Sequence, residues 1–75
     1  MPAKGPIIVQ VGKRIRALRE GKSMSQDALA ESSDLHRTYI SGVERGIRNP
    51  SLQSLDRIAK CLGVGLAEFF AAGKD

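Results

Sequence analysis

Gly21, the pair Ser33-Asp34, Gly46 and Gly63 cut this chain into segments of at most about four helical turns. Each interruption follows a stretch whose apolar residues recur three and four positions apart, the period of one helix face. Nothing between them alternates with the period of a strand. Helices shorter than ~12–15 residues are marginal in water, so these segments have to share one core. The expected fold class is therefore all-α, a compact bundle of five short helices.

Local signals place the ends. Ile8, Val11, Ile15 and Leu18 form the first stripe, and Gly21 is expected to end it in left-handed backbone. Ser25 reads as the next N-cap, with Met24 and Leu29 spaced as a hydrophobic staple, over about residues 26–32. A third helix is expected over residues 37–45, stopped by Gly46, with His36 in an N-cap position it suits poorly. Ile47 to Pro50 reads as a loop, because the residue before proline is driven away from helical geometry. Ser51 caps a fourth helix with Leu52, Leu55, Ile58, Ala59 and Leu62. Val64 and Phe69 staple a fifth around Gly65, ending at Gly73. Residues 8–73 then make one domain, with residues 1–7 a flexible N-terminal arm and 74–75 a tail.

With 75 residues, 41% of them hydrophobic and 27% charged, the chain has the profile of one small soluble domain. Its opening residues lack the apolar stretch of an export signal, and Cys61 has no second cysteine to pair with, so a reducing cytoplasm is expected. Cys61 is expected at the core or its edge as a small inert hydrophobe. One His, one Cys and no Gly-rich phosphate loop argue against an enzyme, and no metal, cofactor or small-molecule ligand is expected.

The net charge is +4, and it is unevenly spread. Residues 1–22 carry a local +5, residues 23–35 a local −3 and residues 36–50 a local +2. Such separation suits a polyanion docking on two neighbouring stretches, although a solvated basic face would look the same. The third helix is more informative. At about 100° per residue, Arg37, Thr38, Ser41 and Arg45 share one face, with Gly42 at its margin and Ile40 and Val43 opposite. A face of hydrogen-bonding groups without an acid is what the phosphate-lined major groove of DNA requires.

Met24-Ser25-Gln26-Asp27-Ala28-Leu29-Ala30-Glu31, followed by Arg37 to Gly46 and by Asn49-Pro50-Ser51-Leu52, resembles the lambda-repressor/Cro-like (XRE) helix-turn-helix family over roughly residues 11–70. Within it, the block from Leu35 to Ser41 with Glu44-Arg45 and Arg48-Asn49 most resembles the controller proteins of restriction–modification systems. The resemblance implies a sequence-specific, dimeric transcriptional regulator of double-stranded operator DNA with inverted half-sites, its second helix of the pair lying in the major groove. It implies base contacts by Arg37, Thr38 and Ser41, and backbone contacts by Gln26, Tyr39, Arg45, Arg48 and Asn49. It also implies a partly buried Arg19–Glu44 ion pair.

Plainer uses stand beside several of these roles. Tyr39 can rest its ring on the core, Arg45 can cap its own helix, and His36 reads as a surface or capping residue. Gly42 falls where many relatives place a long polar side chain, so base reading is expected to be lost there and concentrated at the start of the helix. Asp34 stands at a turn position often held by glycine, and tolerates left-handed geometry. Pro50 is less usual among controllers. A phage-type repressor or an antitoxin of the same fold is the alternative function, and it would act partly through protein–protein binding. Leu66, Phe69 and Phe70 are the expected homodimer seam.

Overall fold

In the computed structural model, which describes residues 6–70, α1 (Ile7–Gly21) and α2 (Gln26–Ser33) are followed by α3 (Arg37–Glu44) and α4 (Leu52–Leu62). A short 3₁₀ turn, Leu66–Phe69, closes the chain. Pro6 sits at the N-cap of α1, its carbonyl accepting from the Val9 and Gln10 amides. Ile7, expected in the arm, is thus helical, while residues 1–5, the tail and Gly73 lie outside the described residues.

Caps fix the remaining boundaries. Ser25 Oγ accepts from the Ala28 amide at 3.0 Å, and Ser51 Oγ from the Ser54 amide at 3.0 Å. His36 makes no capping bond. Between α2 and α3 the chain reverses at Asp34, left-handed with φ 59°, and the Leu35 amide returns to the Ala30 carbonyl at 2.9 Å. Gly46 and Gly63 close α3 and α4 with φ of 74°. Gly21 behaves differently from expectation. It stays helical, and the left-handed residue is Ser23, φ 55°. The extra residues bring the Met24 amide back to the Arg19 carbonyl at 3.1 Å, so the turn that follows Gly21 is closed on Arg19 rather than on the glycine.

Ile15, Leu29, Ile40 and Ile58 have no exposed surface, and Val43, Leu62 and Phe69 almost none. Leu18, Met24, Leu35, Tyr39 and Cys61 pack around them, as does Leu66. The expected fifth helix is the 3₁₀ turn, held by i→i+3 bonds from Glu68 to Gly65 and from Phe70 to Ala67, both 3.0 Å. Its tighter winding drives the Phe69 ring into the core. Arg14 binds that turn to α1, its Nε donating to the Glu68 carbonyl at 3.2 Å. At Gly12, α1 and α3 meet backbone to backbone: a Cβ there would collide with the carbonyl oxygens of Val43 and Glu44.

Candidate nucleic-acid interface

Helix α3 lies with Ile40 and Val43 in the core and its polar face outward. Arg37, Thr38 and Arg45 are exposed and Ser41 is half-buried, as their helical positions require. Arg48 and Asn49, in the loop after the helix, are exposed as well. An open hollow of about 610 Å³ runs along the start of α3, bordered by residues 34–39 on one side and by Arg48 on the other. The loop residue and the reading face therefore belong to one surface.

Glu44, the acid of α3, is withdrawn from that surface. Its carboxylate receives two bonds from Arg19, Nε at 2.6 Å and Nη2 at 2.9 Å, in the bidentate geometry that suits a guanidinium. Arg19 also donates to the Met24 carbonyl at 2.8 Å. Hydrogen bonding to Glu44 raises the Arg19 pKa above its ordinary value. Both side chains are almost wholly buried, and together they lock α1, the turn before α2 and the end of α3.

Gln26 joins this network. Its amide Nε2 donates to Glu44 Oε1 at 3.1 Å, so one of the two amide protons expected to reach a phosphate is already engaged inside the chain. The second amide proton is left for another acceptor, and Gln26, half-buried, is the first residue of α2. The Tyr39 ring packs on the core, the plainer of its two readings, and it also carries the Arg48 guanidinium 5.1 Å from its centroid. Its hydroxyl accepts from the Ser51 amide at 3.4 Å, tying α3 to the start of α4.

Gly42 is buried rather than open, because Arg48 occupies the space beside it: a Cβ on Gly42 would stand 3.1 Å from Arg48 Cβ. The charge pattern also changes once folded. Arg14 pairs with Glu68, Arg16 with Glu20, Arg19 with Glu44 and Lys60 with Asp56, so much of the basic first segment is neutralised internally. Arg37 makes a solvent-exposed pair with Asp27 at 3.2 Å. Among the described residues, Arg45 and Arg48 beside α3 make no ion pair, nor do Lys13, Lys22 and Arg57 elsewhere on the surface.

Phe69, expected at the dimer seam, is 1% exposed and spent in its own core; Phe70, 46% exposed, and half-buried Leu66 are the accessible members of that group. Among the described residues no group of His, Cys, Asp and Glu is placed to hold a metal ion, and no helix is long and apolar enough to cross a membrane.

Two helices set at a tight left-handed turn, the second with an acid-free polar face outward, are shared with a known family. Residues 15–69 match the model of HTH_3, helix-turn-helix. The chain belongs to the HTH_3 helix-turn-helix family. It is a DNA-binding regulator by that membership and not an enzyme. It is 56% identical over 54 residues to the control protein C.BamHI of Bacillus amyloliquefaciens, covering 71% of this chain and 67% of that one. The crystal structure of the restriction-modification controller protein C.AhdI from Aeromonas hydrophila matches with TM-score 0.82 and 44% identity, over 84% of this chain and 96% of that one. The controller C.Esp1396I, solved as a tetramer in complex with its natural 35 base-pair operator, matches with TM-score 0.80 and 42% identity, over 89% and 88% of the two chains.

Proposed function

We propose that this HTH_3 protein is a sequence-specific transcriptional regulator that binds operator DNA as a homodimer, in the manner of a restriction–modification controller. The observation that carries the reading is the acid-free outer face of α3 with Arg48 lying beside it. Arg37 and Thr38 read base edges, Arg37 as a bidentate donor to guanine, and Ser41 adds a shorter-range hydrogen bond from the helix middle. Arg45, Arg48 and Asn49 hold the flanking phosphates, and Gln26 offers its remaining amide proton at the α2 N-terminus. Tyr39 contributes through its shelf for Arg48 and its own place at the edge of the hollow.

The homodimer brings two copies of α3 to inverted half-sites about one DNA turn apart, with Leu66 and Phe70 at the seam. The same reading takes the regulator to be autoregulating, acting on DNA upstream of its own gene. Binding-site selection followed by footprinting on that upstream DNA tests the whole reading. Enrichment of an inverted repeat, with affinity falling steeply as salt rises, is expected. Absence of a preferred sequence together with a flat salt response would overturn it in favour of a protein partner.

A further inference from the structure

We propose that Gly42 is a positioning residue for Arg48: having no side chain, it gives that arginine a seat on α3, so that Arg48 meets DNA already in place. The inference rests on the DNA-binding reading above and deepens it.

The seat has three parts. After α3 the chain folds back over the helix it has just left, and the amides of Ile47 and Arg48 both donate to the Gly42 carbonyl, at 3.1 and 3.2 Å. That pins the Arg48 backbone. The Arg48 stem then lies across the space a side chain at position 42 would fill, its Cβ, Cγ and Cδ standing 3.1, 3.8 and 3.9 Å from an ideal Cβ there. Finally the guanidinium comes to rest 5.1 Å above the ring of Tyr39, three residues earlier on the same helix face. Tyr39 is in turn held by the Ser51 amide.

No carboxylate pairs with Arg48 among the described residues, so shape and an aromatic face hold it while its charge stays available. This differs from Arg37, whose Nε faces the Asp27 carboxylate at 3.2 Å. An arginine ordered beforehand loses less side-chain freedom on binding an anion, and that difference appears as affinity. The inference also accounts for a glycine inside a short helix, where alanine would be the better helix former. A methyl group at position 42 would press on Arg48 Cβ, next to a backbone pinned to the same residue, so the Arg48 stem has to shift from its seat.

The test is a double-mutant cycle on the full chain with Gly42→Ala and Arg48→Ala, measured on a duplex recovered by binding-site selection with the unaltered protein. Gly42→Ala is expected to keep its helical signal and lose roughly three- to tenfold in affinity, with most of that loss gone in the Arg48→Ala background. In the free protein, the Arg48 Nε–H resonance, displaced by the ring current of Tyr39, is expected to move toward that of a solvent-exposed arginine. An equal loss in both backgrounds, no loss, or an unmoved resonance overturns the proposal. If Gly42→Ala fails to fold, Tyr39→Leu removes the other side of the seat, and its loss should likewise shrink in the Arg48→Ala background; a loss of the same size in both overturns the proposal. Failure of the unaltered protein to select any duplex overturns the DNA-binding reading and this inference together, whereas selective binding without coupling overturns the seat alone.

Discussion

Arg37 and Asp27 face each other across the α2–α3 turn, 3.2 Å from Nε to Oδ1, with both side chains largely in solvent. A carboxylate thus stands where DNA phosphates would approach, and it occupies the arginine expected to read a base. Exposed pairs of this kind contribute about 0–1 kcal/mol. Asp27→Asn is therefore expected to tighten DNA binding by up to about fivefold at low salt. Asp27 also lies in the first turn of α2, so the same change should cost about 0.3–1 kcal/mol of stability. Titration by fluorescence anisotropy beside a thermal melt checks both signs, and unchanged or weaker binding would remove Asp27 from the account.

Arg37→Ala should relax preference at one base pair in each half-site, by about 1–3 kcal/mol, while leaving the fold intact. Binding-site selection with the variant measures this directly. A preference identical to that of the unaltered protein would deny Arg37 a reading role.

Cations that are already paired and cations that are not should respond differently to salt. Arg48→Ala is expected to reduce the slope of log affinity against log salt by about one unit. Arg16→Ala, which removes a cation bonded to Glu20, should leave the slope nearly unchanged. Equal changes in the two variants would mean that internal pairing does not decide which charges meet DNA.

Breaking the Arg19–Glu44 pair on one side leaves a buried charge without a partner. Arg19→Ala or Glu44→Ala should each cost about 3–5 kcal/mol, whereas the combined Arg19→Met, Glu44→Leu change should be much less damaging. Denaturant melts of the three variants provide the comparison. Because hydrogen bonding raises the Arg19 pKa, its contribution is complete below the unfolded guanidinium pKa and is lost only as pH rises through the folded one. Stability should accordingly show no dependence on this group from acid through neutral pH.

Phe70→Ser tests the seam. With 46% of Phe70 exposed, the change should shift sedimentation at micromolar concentration toward monomer with little effect on the melt of the monomer itself. A dimer of undiminished strength would place the contact elsewhere.

Much of this architecture is written locally and can be read directly. Ser25 and Ser51 cap where their neighbours say they should, Gly46 and Gly63 stop their helices, and Asp34 takes the left-handed turn. The polar face of α3 follows from helical period alone. Other features depend on groups distant in sequence or on irregular backbone. Counting charges by segment overstates the basic first helix because Arg14 finds Glu68, 54 residues away. Arg48 lies in a loop without period, so nothing local predicts that it folds back over Gly42. The closing segment winds as a 3₁₀ turn with Phe69 buried, and the sequence motif there fits an α-helix equally well. Gly12 left a readable trace, a glycine set inside an apolar stripe, yet only the packed structure explains it.

That glycine sets the gauge of the molecule. Helix α1 is tied to the closing turn through Arg14 and Glu68, beside the seam residues, and touches α3 with no side chain in between. In a homodimer joined at Leu66 and Phe70, the thickness of that one bare backbone contact would set how far each α3 stands from the two-fold axis. A larger residue at position 12 would push the two reading helices apart or out of parallel, and with them the spacing of half-sites they could span.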